Sequence, residues 1–333
     1  MRVRYFLGRL GSMVFVIFGV MIFTFVLTRL IPADPARVAA GPRATVAQVA
    51  AVRKGLGLDD PLPIQFMNFL GNAFRGNFGT SFVTNRPVSD DIARLFPATF
   101  ELVFWAMVIM SLLGIVAGTY LSVMPTRVTG IVVRALGLIG IGLPVFLAAM
   151  LAQGLFFGRL GWFPSGGRID VEPPDTFTSM YVIDSTLTGN WMALESSLMH
   201  LALPVAVLAF SRFGVIMRFV NGEMVREINS EYVLTAHAKG AGRFRVSVSH
   251  ALRNALIPAT SMIGLQFGWL LGGTVLIESI FSWPGLGSYM VNSIVSLDYM
   301  PVISTAVVLG ISFAVINLIV DVIQEILDPR ISA

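Results

Sequence analysis

The side chains that could do chemistry in this sequence are few, and their spacing argues against catalysis. His200, His237 and His250 are not spaced as HExxH, the pattern that places two zinc ligands and a general base on one helix face. No GxSxG turn is present to raise a serine nucleophile. Lys54 and Lys239 are each followed by glycine, and no GxxxxGK[ST] loop exists to cradle nucleotide phosphates. The chain has no cysteine, which removes disulfides and thiolate metal sites. The expectation is a protein with no catalytic residue, cofactor or metal of its own. Its polar groups then serve recognition or mechanical linkage.

The longest polar interruption of the apolar second half is EYVLTAHAKGAGRFRVSVSHALRNALIP, residues 231–258. Upstream, Val225, Ile228, Tyr232 and Ala236 recur at helical spacing. Downstream, Phe244, Val248, Ala251, Leu252 and Ala255 make a second stripe, with Arg245, Ser249 and Arg253 on another face. Gly240, Ala241 and Gly242 lie between, and glycine accepts the angles of a sharp turn. A helical hairpin is predicted. Periodicity leaves two uses open: a basic amphipathic helix resting on lipid headgroups, or a docking element for a soluble partner.

The elements that must position this hairpin are membrane helices. Of 333 residues, 55% are hydrophobic and 13% charged, against about 25% charged in a typical soluble domain. Six windows lack charge: 10–28, 102–126, 135–158, 196–211, 254–277 and 299–320. A spanning helix needs about 20 apolar residues. The fourth window is short and extends to about residue 217 if Arg212 snorkels toward the headgroups. The first is expected to remain as an uncleaved helix, since its apolar run exceeds that of a signal peptide. Arg2, Arg4, Arg9, Arg127, Arg134, Arg218, Arg226, Lys239, Arg243, Arg245, Arg253 and Arg330 fall on one side, and only Arg159 and Arg168 on the short loops of the other. The positive-inside rule puts both termini and the hairpin in the cytoplasm. The net charge of +4 is accounted for by this topology, and no nucleic-acid module accompanies it.

Outside the membrane, residues 31–97 are broken by Pro32, Pro35, Pro42, Pro61 and Pro63, with short helices expected at 46–58 and 64–74. A second outer loop, 159–195, carries Asp170, Glu172, Asp175 and Asp184, expected to be solvated. Pro144 and Pro204 fall within spans and are expected to kink them. Gly264, Gly268, Gly272 and Gly273 allow close helix packing, or line a path for substrate. Glu278, just past the fifth window, is a candidate to meet a substrate's amino group, or an interfacial acid. Asp298, Asp321 and Asp328 are expected at the interface, and His200 packed rather than catalytic.

Residues 231–258 resemble the EAA loop of ABC importer permeases, in the variant of the dipeptide, oligopeptide, nickel and glutathione systems. Against the general pattern, aligned on Gly240, only Ala236 of the Glu-Ala-Ala and Leu252 of the Ile-x-Leu-Pro match, whereas TAHAKG followed by HALRNALIP is similar to the peptide branch. Further similar stretches are RLIPADPA at 29–36, GNFGTSF at 76–82, PVSDDIARLFPATFEL at 87–102, GWLLGG at 268–273, FSWPGLG at 281–287 and LDPR at 327–330. The resemblance implies an all-α polytopic type I importer subunit with six transmembrane helices, in the bacterial inner membrane. It implies an N-terminal unit at 1–94, a permease domain at 95–328 and a coupling hairpin near 221–256. The implied partners are a homologous second permease, two ATP-binding subunits and an extracytoplasmic substrate-binding protein. Within the hairpin Gly240 would set the bend, Tyr232, Thr235 and Ala236 would meet the ATPase, and Glu231, Lys239 and Arg243 would form a polar rim. Gly268, Gly272 and Glu278 would lie on the substrate path. Dipeptides or short peptides are the expected cargo, with nickel complexes or glutathione as alternatives within the same importer type. A secondary transporter or a membrane-embedded hydrolase would be a different class; the former would show internal repeats and paired intramembrane charges, which the sequence lacks.

Overall fold

The computed structural model describes residues 2–30, 34–41, 43–55, 57–124, 128–240, 242 and 245–327. Among these the only β pairing is an isolated bridge between Thr80 and Pro87, and the rest is helix and loop. Arg243, Phe244, Asp328 and Arg330, to which the sequence assigned roles, lie outside the described residues, as do the side chains of Leu234 and His237.

The chain begins with α1 (Arg2–Leu30), followed by the short helices α2 (Pro35–Ala40), α3 (Val46–Gly55) and α4 (Leu62–Phe74). The helices predicted at 46–58 and 64–74 therefore form. Next comes α5 (Val88–Val123), with Asp90 and Asp91 in its first turn, where acidic groups favour the positive end of the helix dipole. Residue 94 lies within α5. Then follow α6 (Val128–Gly142), α7 (Val145–Ala152) with a π-helical continuation Gln153–Arg159, α8 (Tyr181–Thr188) and α9 (Trp191–Ile228). Asn190 caps α9, its side chain accepting from the Ala193 N–H at 3.1 Å. The last elements are α10 (Glu231–Ala238), a π-helical segment Val246–Leu252, α11 (Arg253–Ile280), α12 (Leu286–Val295) and α13 (Tyr299–Leu327).

Among the described residues four helical stretches are long and apolar enough to cross a membrane: α5, α9, Val246–Ile280 and α13. The third window is broken where a kink was expected, and far more sharply than a kinked single span. Its two halves, Val128–Gly142 and Val145–Arg159, meet at 109°. Pro144 explains the break, since it has no N–H for the helix ladder and disfavours helical angles at the residue before it. Pro204, by contrast, is carried inside a continuous α9. The first window falls on α1, whose shorter apolar stretch is Gly11–Val26.

The core lies where α5 packs against α9. Leu102, Ala106 and Met110 of α5 and Leu208, Ile216, Met217 and Val220 of α9 share one buried cluster. Gly114 lets the two backbones approach, for a Cβ there would lie 2.6 Å from Ile216 Cβ. A separate cluster of Met21, Ile303 and Val307 joins α1 to α13.

Buried carboxylates tie the loops to one end of this bundle. Asp298, expected at the interface, is fully buried: it accepts from Ser81 Oγ at 2.7 Å and from the N–H groups of Phe82 and Val83 at 2.8 and 3.2 Å. Its partners are the turn of the GNFGTSF stretch, whose unpaired donors need an acceptor once buried. Asp91 accepts from Thr84 Oγ1 at 2.6 Å and Tyr289 Oη at 3.0 Å. Burial, then that hydrogen bond, pushes the Tyr289 phenol above its ordinary pKa. Asp184 is also not a solvated loop charge, because it is fully buried and accepts from Thr178 N–H at 3.0 Å and Thr178 Oγ1 at 2.8 Å. Asp170, Glu172 and Asp175 remain exposed, as expected. His200 is packed: its Nδ1 lies 2.8 Å from the Ser196 carbonyl oxygen and its Nε2 3.2 Å from Asp170 Oδ1.

Candidate functional site

The described parts of the stretch read as a hairpin, 228–240 and 245–252, lie at the end of the bundle opposite α12. Ile228 ends α9, α10 runs from Glu231 to Ala238, and Gly240 follows with φ +84°, a left-handed angle that side chains with a Cβ resist. Among the described residues nothing lies within 4 Å of where a Cβ at Gly240 would sit, so it is conformation that calls for glycine. Glu231, Thr235, Lys239 and Gly240 are exposed and Ala236 is half-buried.

Tyr232 joins three elements. Its hydroxyl donates to Glu227 Oε2 at 2.6 Å and accepts from Asn254 Nδ2 at 3.0 Å, linking α10 to the end of α9 and the start of α11. Its ring stays 39% exposed. Burial, reinforced by the bond to Glu227, raises the phenol above its ordinary pKa, so it remains a protonated donor. Val233 beside it is fully buried and anchors α10 inward.

After the bend, the apolar register differs from the stripe expected through Val248. Val246 and Ala251 are buried while Val248 is 38% exposed. The cause is the π-helical turn: its wider i to i+5 ladder puts residues five apart on one face. His250 is exposed.

A second feature is a groove of about 790 Å³ bounded by α9, α11, the start of α7 and α13. Gly268 and Gly272 both line it, together with Gln266, Trp269, Arg212 and Phe313. The glycine stripe divides between two tasks. A Cβ at Gly264 would meet Val320 at 2.8 Å and one at Gly268 would meet Phe313 at 2.6 Å, so these pack α11 against α13. At Gly272 nothing among the described residues lies within 4 Å of the Cβ position, and the groove is open there.

Arg212, read as able to snorkel toward headgroups, has its guanidinium 4.2 Å from the Trp269 ring centroid in this groove, where the negative face of the indole attracts it. An arginine within an apolar span was the available signal; its direction depends on helix rotation, which the sequence does not state.

Glu278 does not line this groove. It is fully buried, and Thr99 Oγ1 donates to its Oε1 at 2.6 Å while the Ser288 N–H donates to its Oε2 at 2.9 Å. Thr99 in turn accepts from the Leu286 N–H at 2.8 Å, and Trp283 Nε1 donates to the Ala98 carbonyl at 3.0 Å. The FSWPGLG stretch thus folds over Glu278, and a Cβ at Gly285 would lie 2.5 Å from its carboxyl carbon. Its carboxylate fastens α5, α11 and α12 together at the start of α12, where the helix N–H groups favour an anion.

Residues 110–333 match the family described as the binding-protein-dependent transport system inner membrane component, and residues 2–103 match the N-terminal region of that component. The chain belongs to this family. Among its relatives, the probable D,D-dipeptide transport system permease protein DdpB of Escherichia coli (strain K12) is 40% identical over 97% of this chain and 96% of its own length. The di/tripeptide transport system permease protein DppB of Pseudomonas aeruginosa (strain UCBPP-PA14) is 38% identical over 97% of each. The glutathione transport system permease protein GsiC of Pectobacterium atrosepticum is 37% identical over 98% of each. This binding-protein-dependent permease is therefore an ABC importer subunit of the dipeptide and oligopeptide group, an inner-membrane component that works with a substrate-binding protein and ATPase partners. Members of the family are membrane permease subunits and not enzymes themselves.

Proposed function

We propose that this permease translocates dipeptides or short oligopeptides by alternating access, paired with a homologous second permease, two ATP-binding subunits and an extracytoplasmic binding protein. The observation that carries the substrate reading is near full-length similarity to relatives named for D,D-dipeptide and di/tripeptide transport. Glutathione, named for a relative of comparable identity, is the second reading.

Both termini and the Gly240 end of the bundle face the cytoplasm, consistent with the basic residues gathered there. Closure of the ATPases upon ATP binding presses on Glu231, Thr235, Ala236, Lys239, Gly240 and Arg243. Tyr232 passes the displacement to α9 and α11 through Glu227 and Asn254, and these two helices wall the groove that holds Gly268 and Gly272. A rigid-body shift of one end thereby changes the opening of the groove. Residues 1–94 and 95–328 serve as an N-terminal unit and the permease domain proper.

The test is purification of the chain with its companions, followed by uptake into liposomes with dipeptide, glutathione or a nickel complex supplied to the binding protein. ATP-dependent dipeptide uptake is the expected result. Uptake of glutathione alone transfers the assignment to the second reading, and uptake by the isolated chain without ATP overturns the importer mechanism.

A further inference from the structure

Resting on the reading of this chain as a peptide permease, we infer that Arg212 is an anchor for the carboxylate end of the substrate within the groove between α9 and α11. Arg212 lies inside α9, directly after its charge-free stretch 196–211. A guanidinium beside an apolar span is costly unless it is paired, solvated in a cavity or awaiting a ligand. Among the described residues it forms no ion pair and no hydrogen bond, and its one contact of note is the face of Trp269. Stacking on an indole holds the planar group in place while leaving its N–H fork free along the edge, the geometry that receives a carboxylate through two parallel hydrogen bonds.

A second, independent observation points to the same place. Gln266 lines the same groove, is 5% exposed, and its Oε1 has no hydrogen-bond partner among the described residues. A buried amide oxygen without a donor costs free energy, and a peptide N–H or ammonium group entering the groove supplies that donor once the side chain turns the oxygen, now closed off, toward it. The open space at Gly272 and a volume of about 790 Å³ fit a molecule of dipeptide size, within the roughly 300–1,000 Å³ usual for small-ligand sites. The substrate class is thereby narrowed to small molecules ending in a free carboxylate, which includes dipeptides and glutathione.

The importer, purified with its partner subunits in nanodiscs without binding protein, is exposed to photoreactive p-benzoylphenylalanyl-alanine or to its C-terminal amide, and the labelled segments are mapped by mass spectrometry. The free acid is expected to label α11 around Trp269 about tenfold more than the amide, the size of a charge-assisted hydrogen bond. Arg212→Gln should abolish the preference, and Arg212→Lys should retain part of it. Equal labelling by acid and amide in the wild type, or an undiminished preference in Arg212→Gln, overturns the anchor. So does loss of the second permease from the Arg212→Gln complex, which assigns the guanidinium to a contact between subunits. ATP-driven uptake of unlabelled dipeptide is measured in parallel. If it occurs while labelling ignores Arg212, only the anchor fails; if it is absent, the peptide reading fails and takes the anchor with it.

Discussion

Arg168 and Glu101 form an ion pair with 2.7 Å between Nη2 and Oε2, their side chains 7% and 2% exposed. Arg168 also donates to the Ser179 carbonyl at 3.0 Å and lies over the Tyr181 ring at 3.7 Å. Glu101 accepts the N–H groups of Tyr181 and Val182 at 3.2 and 2.8 Å, so one carboxylate both pairs the arginine and caps α8. Removing one member of a buried pair strands the other at about 3–5 kcal/mol. The two deletions are not equivalent. Glu101→Ala strands a guanidinium and two backbone donors, whereas Arg168→Met leaves Glu101 with both N–H groups. Thermal unfolding of the purified protein should show the larger loss for Glu101→Ala, and equal losses would contradict this account of the loop.

Gly287 faces a different constraint. A Cβ there would lie 2.7 Å from Val275 Cα and 2.9 Å from Glu278 Oε2, and the first of these is backbone that cannot swing aside. Gly287→Ala should therefore sharply reduce the amount of folded protein recovered from membranes. Glu278→Gln should be milder: one of the donors Thr99 and Ser288 then faces an amide N–H₂ instead of an oxygen, at a cost of about 1–3 kcal/mol. Size-exclusion profiles of the solubilised variants separate the two cases.

These carboxylates also mark where reading the sequence stopped being sufficient. The apolar windows, the short helices α3 and α4 and the glycine break after Lys239 were legible because each depends on residues close in the chain. Asp298 was placed at an interface because its partners, Ser81 to Val83, lie more than two hundred positions away, with no local pattern to announce them. Glu278 and Thr99 are likewise distant, 179 positions apart. Pro144 announced a kink but not its 109° size, and the π-helical register of Val246–Leu252 has no composition signal. For Arg212 the residue type was informative; the rotation of α9 that turns it to Trp269 was not.

The proposed orientation is directly testable because the native chain has no cysteine. Lys239 and Asp175 are both exposed. In intact spheroplasts an impermeant maleimide should modify Asp175→Cys at once and Lys239→Cys only after lysis. Labelling of Lys239→Cys from outside would reverse the topology and remove the ATPases from reach of the bend.

Tyr232 should govern how firmly α10 is held. The folded-state pKa of its phenol is raised, so folding favours the protonated form; the contribution is fully present below the ordinary value of 10.0 and declines as pH rises through the raised one. Tryptic cleavage after the exposed Lys239 provides the measurement. Wild-type cleavage, corrected for the protease's own pH profile, should show equal protection at pH 7 and pH 9. Tyr232→Phe loses the bonds to Glu227 and Asn254 and should be cut roughly two- to tenfold faster, as expected for hydrogen bonds of about 0.5–1.5 kcal/mol.

Gly240 tests whether the bend is a mechanical part or a mere connection. Its φ of +84° costs a residue with a Cβ about 1–2 kcal/mol, and asparagine tolerates such angles better than branched or bulky residues. Because no atom of the described residues lies within 4 Å of the Cβ position, Gly240→Leu should not disturb packing, and membrane insertion should be normal. The strain instead shifts the turn among conformations, and a penalty of that size changes the population of the working one by roughly 5–30-fold. In the reconstituted importer, Gly240→Leu should keep its ATPase activity while uptake falls by about that factor, and Gly240→Asn should stay near wild type. Normal uptake by Gly240→Leu would mean that the ATPases do not act through this turn.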